Sequence, residues 1–281
     1  MPVPTPAEVL AEAHRALGSC GRVALCQIVT ARGSTPGKPG WKLVVRADGE
    51  VYGNLGGGSF EAMVVADARE KLASAGPAVE TRRYYLTERA EKDEATGMAC
   101  GGMAEVLLEV LEAPPLLLIC GGGSVGQALA AAAVLLGLDV AVSDDRPEYL
   151  REELFPSAAR RLPAGTLFRE LDLGRWVGRR LFVAVVSRCW ETDLEALAAV
   201  VSQAPEGLEY LGLMGSRRKI ERVRRELAAR GSELTGLPFH APIGLDIGAE
   251  TPAELAISIL AEMVPIVRKA PAEEARRAHG G

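Results

Sequence analysis

Gly121, Gly122 and Gly123 form a glycine run, and Gly121, Gly123 and Gly126 stand in G-x-G-x-x-G spacing. The run follows five apolar residues, Leu116 to Cys120, and opens an alanine-rich stretch. In that setting the first glycine allows a tight turn, the second lets a ligand approach the backbone, and the third lets a helix pack close. The helix N-terminus then presents unpaired N–H groups to a phosphate. Asp144 lies 18 residues after Gly126, placed to bond a ribose-like diol. The chemistry expected here is binding of a nucleotide or another phosphate-bearing ligand. A Rossmann-type half without a ligand has the same spacing.

Other residues carry a similar chemistry. Gly215, Ser216, Arg217, Arg218 and Lys219 lie between a strand pattern and a helix pattern. Three cations at a helix start oppose the helix dipole, a cost that a docked anion would offset. Gly56, Gly57 and Gly58 form another candidate phosphate cradle, to which Arg32 and Lys38 could add charge. Cys100, flanked by glycine-dense sequence, is placed like a reactive thiol or soft-metal ligand, and a small buried residue is the other reading. His240, Asp246 and Glu250 sit in a glycine-broken loop that packing alone does not explain. The chain has 3 His, and no H-E-x-x-H, G-x-S-x-G or Walker A sequence. Apart from Cys100 as a catalytic candidate, the chain is poor in acid–base side chains, which favours a binder over a turnover enzyme.

These residues need elements to position them. From 116 onward, strand patterns at 116–120, 138–143, 181–186 and 209–213 alternate with helix patterns at 125–136, 147–153, 193–203, 217–230 and 252–267. That alternation predicts a parallel sheet with helices on both faces. Before it, residues 6–18 predict an amphipathic helix with Leu10, Ala13 and Leu17 on one face and Gly18 at its end. A strand at 22–31, a hairpin of strands 41–46 and 50–55, a helix from 59 to 73 and a strand at 103–112 follow. The expected organisation is an N-terminal α/β domain over 1–112, a linker at 113–115, a Rossmann-like domain over 116–270 and a tail at 271–281.

The 281 residues are 48% hydrophobic and 25% charged, with a net charge of −5, so a charge-driven nucleic-acid partner is not expected. The apolar runs are too short and too glycine-broken to span a bilayer, and the N-terminus lacks a leader pattern, so a cytoplasmic protein without a membrane partner is expected. Five cysteines without a C-x-x-C indicate neither a disulfide framework nor a zinc site.

Taken together, four blocks resemble the XdhC/CoxI family of xanthine dehydrogenase accessory proteins, over roughly residues 7–268. They are "RGSTPGKPGWKLVVRADGEVYGNLGGGSFEA", "GMACGG", the 116–149 unit ending in "DDRPEY", and "YLGLMGSRRK" with "HAPIGLDIGAETPAELAISILAEMV". The resemblance implies a chaperone that binds the molybdenum cofactor, as molybdopterin or its dinucleotide form. It implies support of sulfuration by a cysteine desulfurase and delivery to an apo molybdenum hydroxylase, with a homodimer as the assembly. Carried over, the site positions are Gly56 to Gly58, Cys100, Gly121 to Gly123, Gly126, Asp144, Gly215 to Arg218, His240 and Asp246. The chain departs from the family pattern at Ser59 and Trp190, where relatives often have Cys and His. The alternative is an NAD(P)-dependent oxidoreductase.

Overall fold

The computed structural model describes residues 3–74, 78–86, 101–155, 160–163, 168, 172–173, 176, 178–205 and 207–268. The chain divides into two units, one ending at Ala113 and the other beginning at Pro114.

The first unit contains α1 (Pro6–Cys20), β1 (Arg22–Arg32), β2 (Lys42–Arg46), β3 (Val51–Gly53), α2 (Gly58–Ala73), β4 (Val79–Leu86) and β5 (Gly102–Glu112). Its sheet has the order β3-β2-β1-β5-β4, and every neighbouring pair is antiparallel. Alternate residues of β1 go to opposite faces, as the pleat demands. Ala24, Cys26 and Ile28 pack with Phe60 and Val64 of α2, while Val23 and Leu25 pack with Val9 and Ala13 of α1. Helix α1 starts at a capping box in which Thr5 and Glu8 satisfy each other's backbone N–H, with Pro6 at the first helical position. The helix departs from expectation at both its face and its end. Val9, Ala13 and Ala16 are buried and Leu10 is 46% exposed. The helix continues through Gly18, because Gly21, at φ 72°, supplies the stop.

The second unit contains β6 (Leu116–Cys120), α3 (Ser124–Leu135), β7 (Asp139–Asp144), β8 (Arg160–Pro163), β9 (Leu181–Val185), α4 (Trp190–Gln203), β10 (Leu208–Leu213), α5 (Arg217–Ala229), β11 (Phe239–His240) and α6 (Pro252–Arg268). The sheet order is β11-β10-β9-β6-β7-β8, all parallel. Counted from β8, this is the 3-2-1-4-5-6 order of a doubly wound dinucleotide-binding fold. β6 and β9 are buried along their whole lengths, which is why they read as unbroken apolar runs. Helices α3 and α6 cover one face of the sheet and α4 and α5 the other.

The helix expected at 147–153 is instead a pair of 3₁₀ turns, Pro147–Tyr149 and Glu152–Leu154. The chain leaves helical dihedrals at Leu150 and again at Phe155 (φ −139°, ψ 63°), whose side chain drops into the core at 2% exposure. Two edge strands, β8 and β11, were not anticipated. β8 (Arg-Arg-Leu-Pro) is part-exposed along its length, and β11 is two residues long, so neither carries the apolar run of a buried strand. Among the described residues no helix is long and apolar enough to cross a membrane.

Candidate functional site

The Rossmann turn is assembled from glycines with three separate jobs. Gly121 takes φ +125°, and its N–H donates to the Ser143 carbonyl at 2.8 Å. A Cβ on it would meet the backbone of Val186 and Ser187 at 2.8–2.9 Å. Gly126 lies so close to the turn that a Cβ would stand 1.9 Å from the Gly121 carbonyl oxygen. Gly123 differs from both. It is the N-cap of α3, makes no side-chain cap bond, and a Cβ on it would meet nothing within 4 Å. The first turn of α3 contains no acidic side chain to occupy its N–H groups. An open approach to an uncapped helix N-terminus is the geometry that receives a phosphate.

The turn also lies where the winding reverses. After β6 the chain crosses to the α3 face, and after the adjacent β9 it crosses to the α4 face. In open parallel sheets the crevice at this switch point is where ligands bind.

Asp144 and Asp145 border the turn at the end of β7. Asp144 is 3% exposed and accepts from the Gly122 N–H at 2.8 Å and from the backbone and guanidinium of Arg146 at 2.9–3.2 Å. Arg146 lies over the Tyr149 ring, 3.7 Å from its centroid. A diol reaching Asp144 would have to displace part of this arrangement. Asp145 is held by Arg188, whose two terminal nitrogens donate to its two oxygens at 2.6 and 2.8 Å. That bidentate bond is the main reason the Asp145 carboxyl lies below its ordinary range. The pair's contribution to stability is therefore present above the unfolded carboxylate pKa and lost as pH falls through the lowered one.

The loop after β9 is anchored from beneath. Asp193 of α4 is fully buried, accepts from the Ser187 hydroxyl at 2.5 Å, and pairs with the Lys219 ammonium. Lys219 also donates to the Met214 carbonyl at 3.1 Å. Burial raises the Asp193 pKa, with Lys219 and Ser187 acting against it. The sign is opposite to that of Asp145: a carboxyl raised in the folded state gains stability as pH falls, so acid lability does not originate here.

The basic turn after β10 is thus divided. Gly215 faces Lys219, Ser216 caps α5 by accepting from the Lys219 N–H at 3.3 Å, and Arg217 and Arg218 are exposed. Of the three cations expected to await an anion, Lys219 has one already, inside the protein.

His240 and Asp246 share this carboxyl edge but not the glycine turn. β11 is three strands from β6, about 14 Å at a spacing of ~4.8 Å. Asp246 is exposed. His240 stacks on Tyr210, with ring centroids 4.4 Å apart, and its Nδ1 lies 3.2 Å from Glu262. Glu262 also accepts from the Tyr210 hydroxyl and from the Gly244 N–H at 2.9 Å. His240 therefore has a packing account. Glu262→Ala should cost about 2 kcal/mol in urea denaturation, because it strands a buried phenol and a backbone N–H. A loss under half that would show that the cluster is not a structural tie.

In the first unit the glycine-dense loops converge at one end of the sheet. A Cβ on Gly37 would lie 2.1 Å from the Leu55 carbonyl oxygen, and one on Gly56 would lie 2.6 Å from Pro36. Ser34 bridges to Gly101. The Gly56–Gly58 run does open α2, yet Glu61 reaches back to accept from the N–H groups of Leu55 at 2.8 Å and Gly57 at 3.2 Å. The expected phosphate cradle thus already holds an anion. Ser59 lies exposed in the first turn of α2, and Trp190 opens α4 beneath the Arg222 guanidinium, 3.7 Å from its ring. Cys100 lies outside the described residues. Cys26 is buried, and burial pushes its thiol up to about 12, so it is not poised as a thiolate. Burial raises the Cys120 thiol likewise. Among the described residues no group of three or more His, Cys, Asp or Glu could hold a metal ion.

Arg188, Asp145, Asp193 and Glu262 carry no site signal of their own in the sequence. Their partners lie far along the chain, and no local motif marks them.

Residues 117–263 match the family model described as the XdhC Rossmann domain, and residues 8–85 match that of the XdhC and CoxI family. The chain is 37% identical over 252 residues to a protein of Escherichia coli (strain K12) called uncharacterized protein YqeB, a match covering 88% of this chain and 44% of that protein. It is 32% identical over 160 residues to a Bacillus subtilis (strain 168) protein named as a probable xanthine dehydrogenase subunit, covering 57% of this chain and 45% of that one. The chain spans under half the length of these curated relatives. A solved structure described as a xanthine dehydrogenase from Bacillus halodurans aligns over 94% of this chain and 96% of its own, at 20% identity and a TM-score of 0.47.

Proposed function

This chain belongs to the XdhC and CoxI family, and from that premise we propose that it is an accessory protein of a molybdenum hydroxylase of the xanthine dehydrogenase type. In this reading it binds the molybdenum cofactor by its phosphate, holds it while a cysteine desulfurase supplies sulfur, and passes it to the apo-hydroxylase. The protein acts as a carrier, with a homodimer as its assembly. The observation that carries the reading is the open approach at Gly123 to the uncapped N-terminus of α3.

The residues present suit the phosphate end of the cofactor. The α3 N–H groups would receive the phosphate oxygens, and Arg188 and Arg146 stand beside the same turn with their charges held by Asp145 and Asp144. The cofactor itself supplies the molybdenum centre and its sulfur ligands. The protein's residues bind, orient and keep water from it.

Protein co-produced with the cofactor pathway should retain pterin near one equivalent per chain, as measured by mass spectrometry of released small molecules. Gly123→Val should lose most of it while folding normally. Folded wild-type protein free of pterin would count decisively against the reading.

The strand order and glycine spacing also suit NAD(P). The four hydrogen bonds already on Asp144 weigh against the diol contact that NAD would make. Titration of NADH, followed by its fluorescence, separates the two readings.

A further inference from the structure

Arg188 and Asp145 are 43 residues apart in sequence and belong to loops after β9 and β7. β6 lies between those strands, so the ion pair spans the end of β6, where the glycine turn emerges. The two loops are bridged across about 10 Å, two strand spacings, by one bidentate contact.

The charges at this mouth balance. Two carboxylates, Asp144 and Asp145, face two guanidiniums, Arg146 and Arg188. A phosphate entering at Gly123 meets the positive end of α3, and gains a full cation beside it only if a guanidinium turns to it from its carboxylate. Arg146 is less suited to leave: Asp144 holds its guanidinium by two hydrogen bonds and its backbone N–H by a third, and the guanidinium is stacked on Tyr149. Arg188 is suited: its side chain is 42% exposed and Asp145 is its partner. Its backbone, by contrast, is steadied by the neighbouring Ser187 hydroxyl on buried Asp193. A phosphate offers the same paired oxygens as a carboxylate and can take over the guanidinium fork without loss of geometry.

We propose that Arg188 is a phosphate-gripping residue of the Rossmann crevice, held across the glycine turn by Asp145 until a phosphate ester or pyrophosphate takes the carboxylate's place. The inference rests on the crevice being a phosphate site, as argued above, and adds the residue that grips and the one that holds it back.

Calorimetric titration of the full chain with pyrophosphate, and separately with ADP, tests it. Asp145→Asn should tighten pyrophosphate about five-fold by freeing Arg188, and Arg188→Gln should weaken it about ten-fold. Local charge alone predicts the same signs, so the double variant decides. With Arg188 replaced, Asp145→Asn has nothing to release, and its gain should fall below about two-fold. A gain of equal size in both backgrounds overturns the strap. So does movement of the two single variants in the same direction, which a purely structural ion pair predicts. Changes seen with pyrophosphate and ADP alike assign the grip to phosphate. Changes confined to ADP assign it to the nucleoside and overturn the proposal. Absence of binding in all four proteins overturns the phosphate reading of the crevice, and with it this inference.

Discussion

Gly126→Ala is expected to lose about 3 kcal/mol of stability, whereas Gly123→Ala, three residues away in the same turn, should stay within about 1 kcal/mol of the wild type. At Gly126 the new methyl would stand 1.9 Å from the Gly121 carbonyl oxygen. Nothing flexible can yield there. The obstruction is backbone, and Gly121 is itself pressed against Val186 and Ser187. Either α3 lifts off the sheet or the turn shifts, and both loosen the interior at Leu129 and Ala133, which are fully buried. At Gly123 the backbone sits at φ −69° and ψ −171°, which any residue adopts, and the methyl meets open space. Urea denaturation of the two variants should therefore separate them clearly. The same open space is where a phosphate would lie, so Gly123→Ala should weaken ligand retention despite its stable fold. Equal stability of the two variants would show that the turn is not packed as described.

The second large effect concerns Asp193. Its replacement by Ala should cost about 3 kcal/mol, the low end for breaking a buried ion pair. The carboxylate is fully buried, and without it the Ser187 hydroxyl and Lys219 ammonium lose their shared partner. The low end is apt because the Lys219 side chain is 21% exposed and can relax toward water. A double variant, Asp193→Leu with Lys219→Met, should recover most of the loss, since removing both charges leaves no stranded ion. The single variant should also free the loop carrying Arg188, seen as faster amide exchange there. If the single variant is as stable as wild type, the buried pair is not what ties the β9 loop to α5.

How much of this was legible beforehand depends on the range over which each feature is encoded. Strands β6 and β9 could be read from sequence because both faces of each are buried, which forces unbroken apolar runs. The glycine turn could be read because its requirements, a positive φ, an open approach and a close helix contact, fall within six residues. In the parallel sheet the edge strands β8 and β11 are not legible, since a strand with one neighbour needs no apolar run. The segment after Asp144 carries a helix pattern but forms two 3₁₀ turns, with Phe155 drawn into the core, a demand of packing and not of propensity.

Side-chain pairing lay further out of reach. Arg188 with Asp145, Asp193 with Lys219, and His240 with Glu262 each join residues brought near only by the strand order. Glu61 differs: its partners Leu55 and Gly57 lie within six residues of it, and it makes the expected phosphate cradle a self-satisfied helix start. The sequence by itself determined the two kinds of α/β unit and the place of the glycine turn, because periodicity and backbone dihedrals are local demands. Only the tertiary structure decided which charges face that turn, because Coulombic partners are chosen by distance in space, and that distance is set by how the strands are ordered.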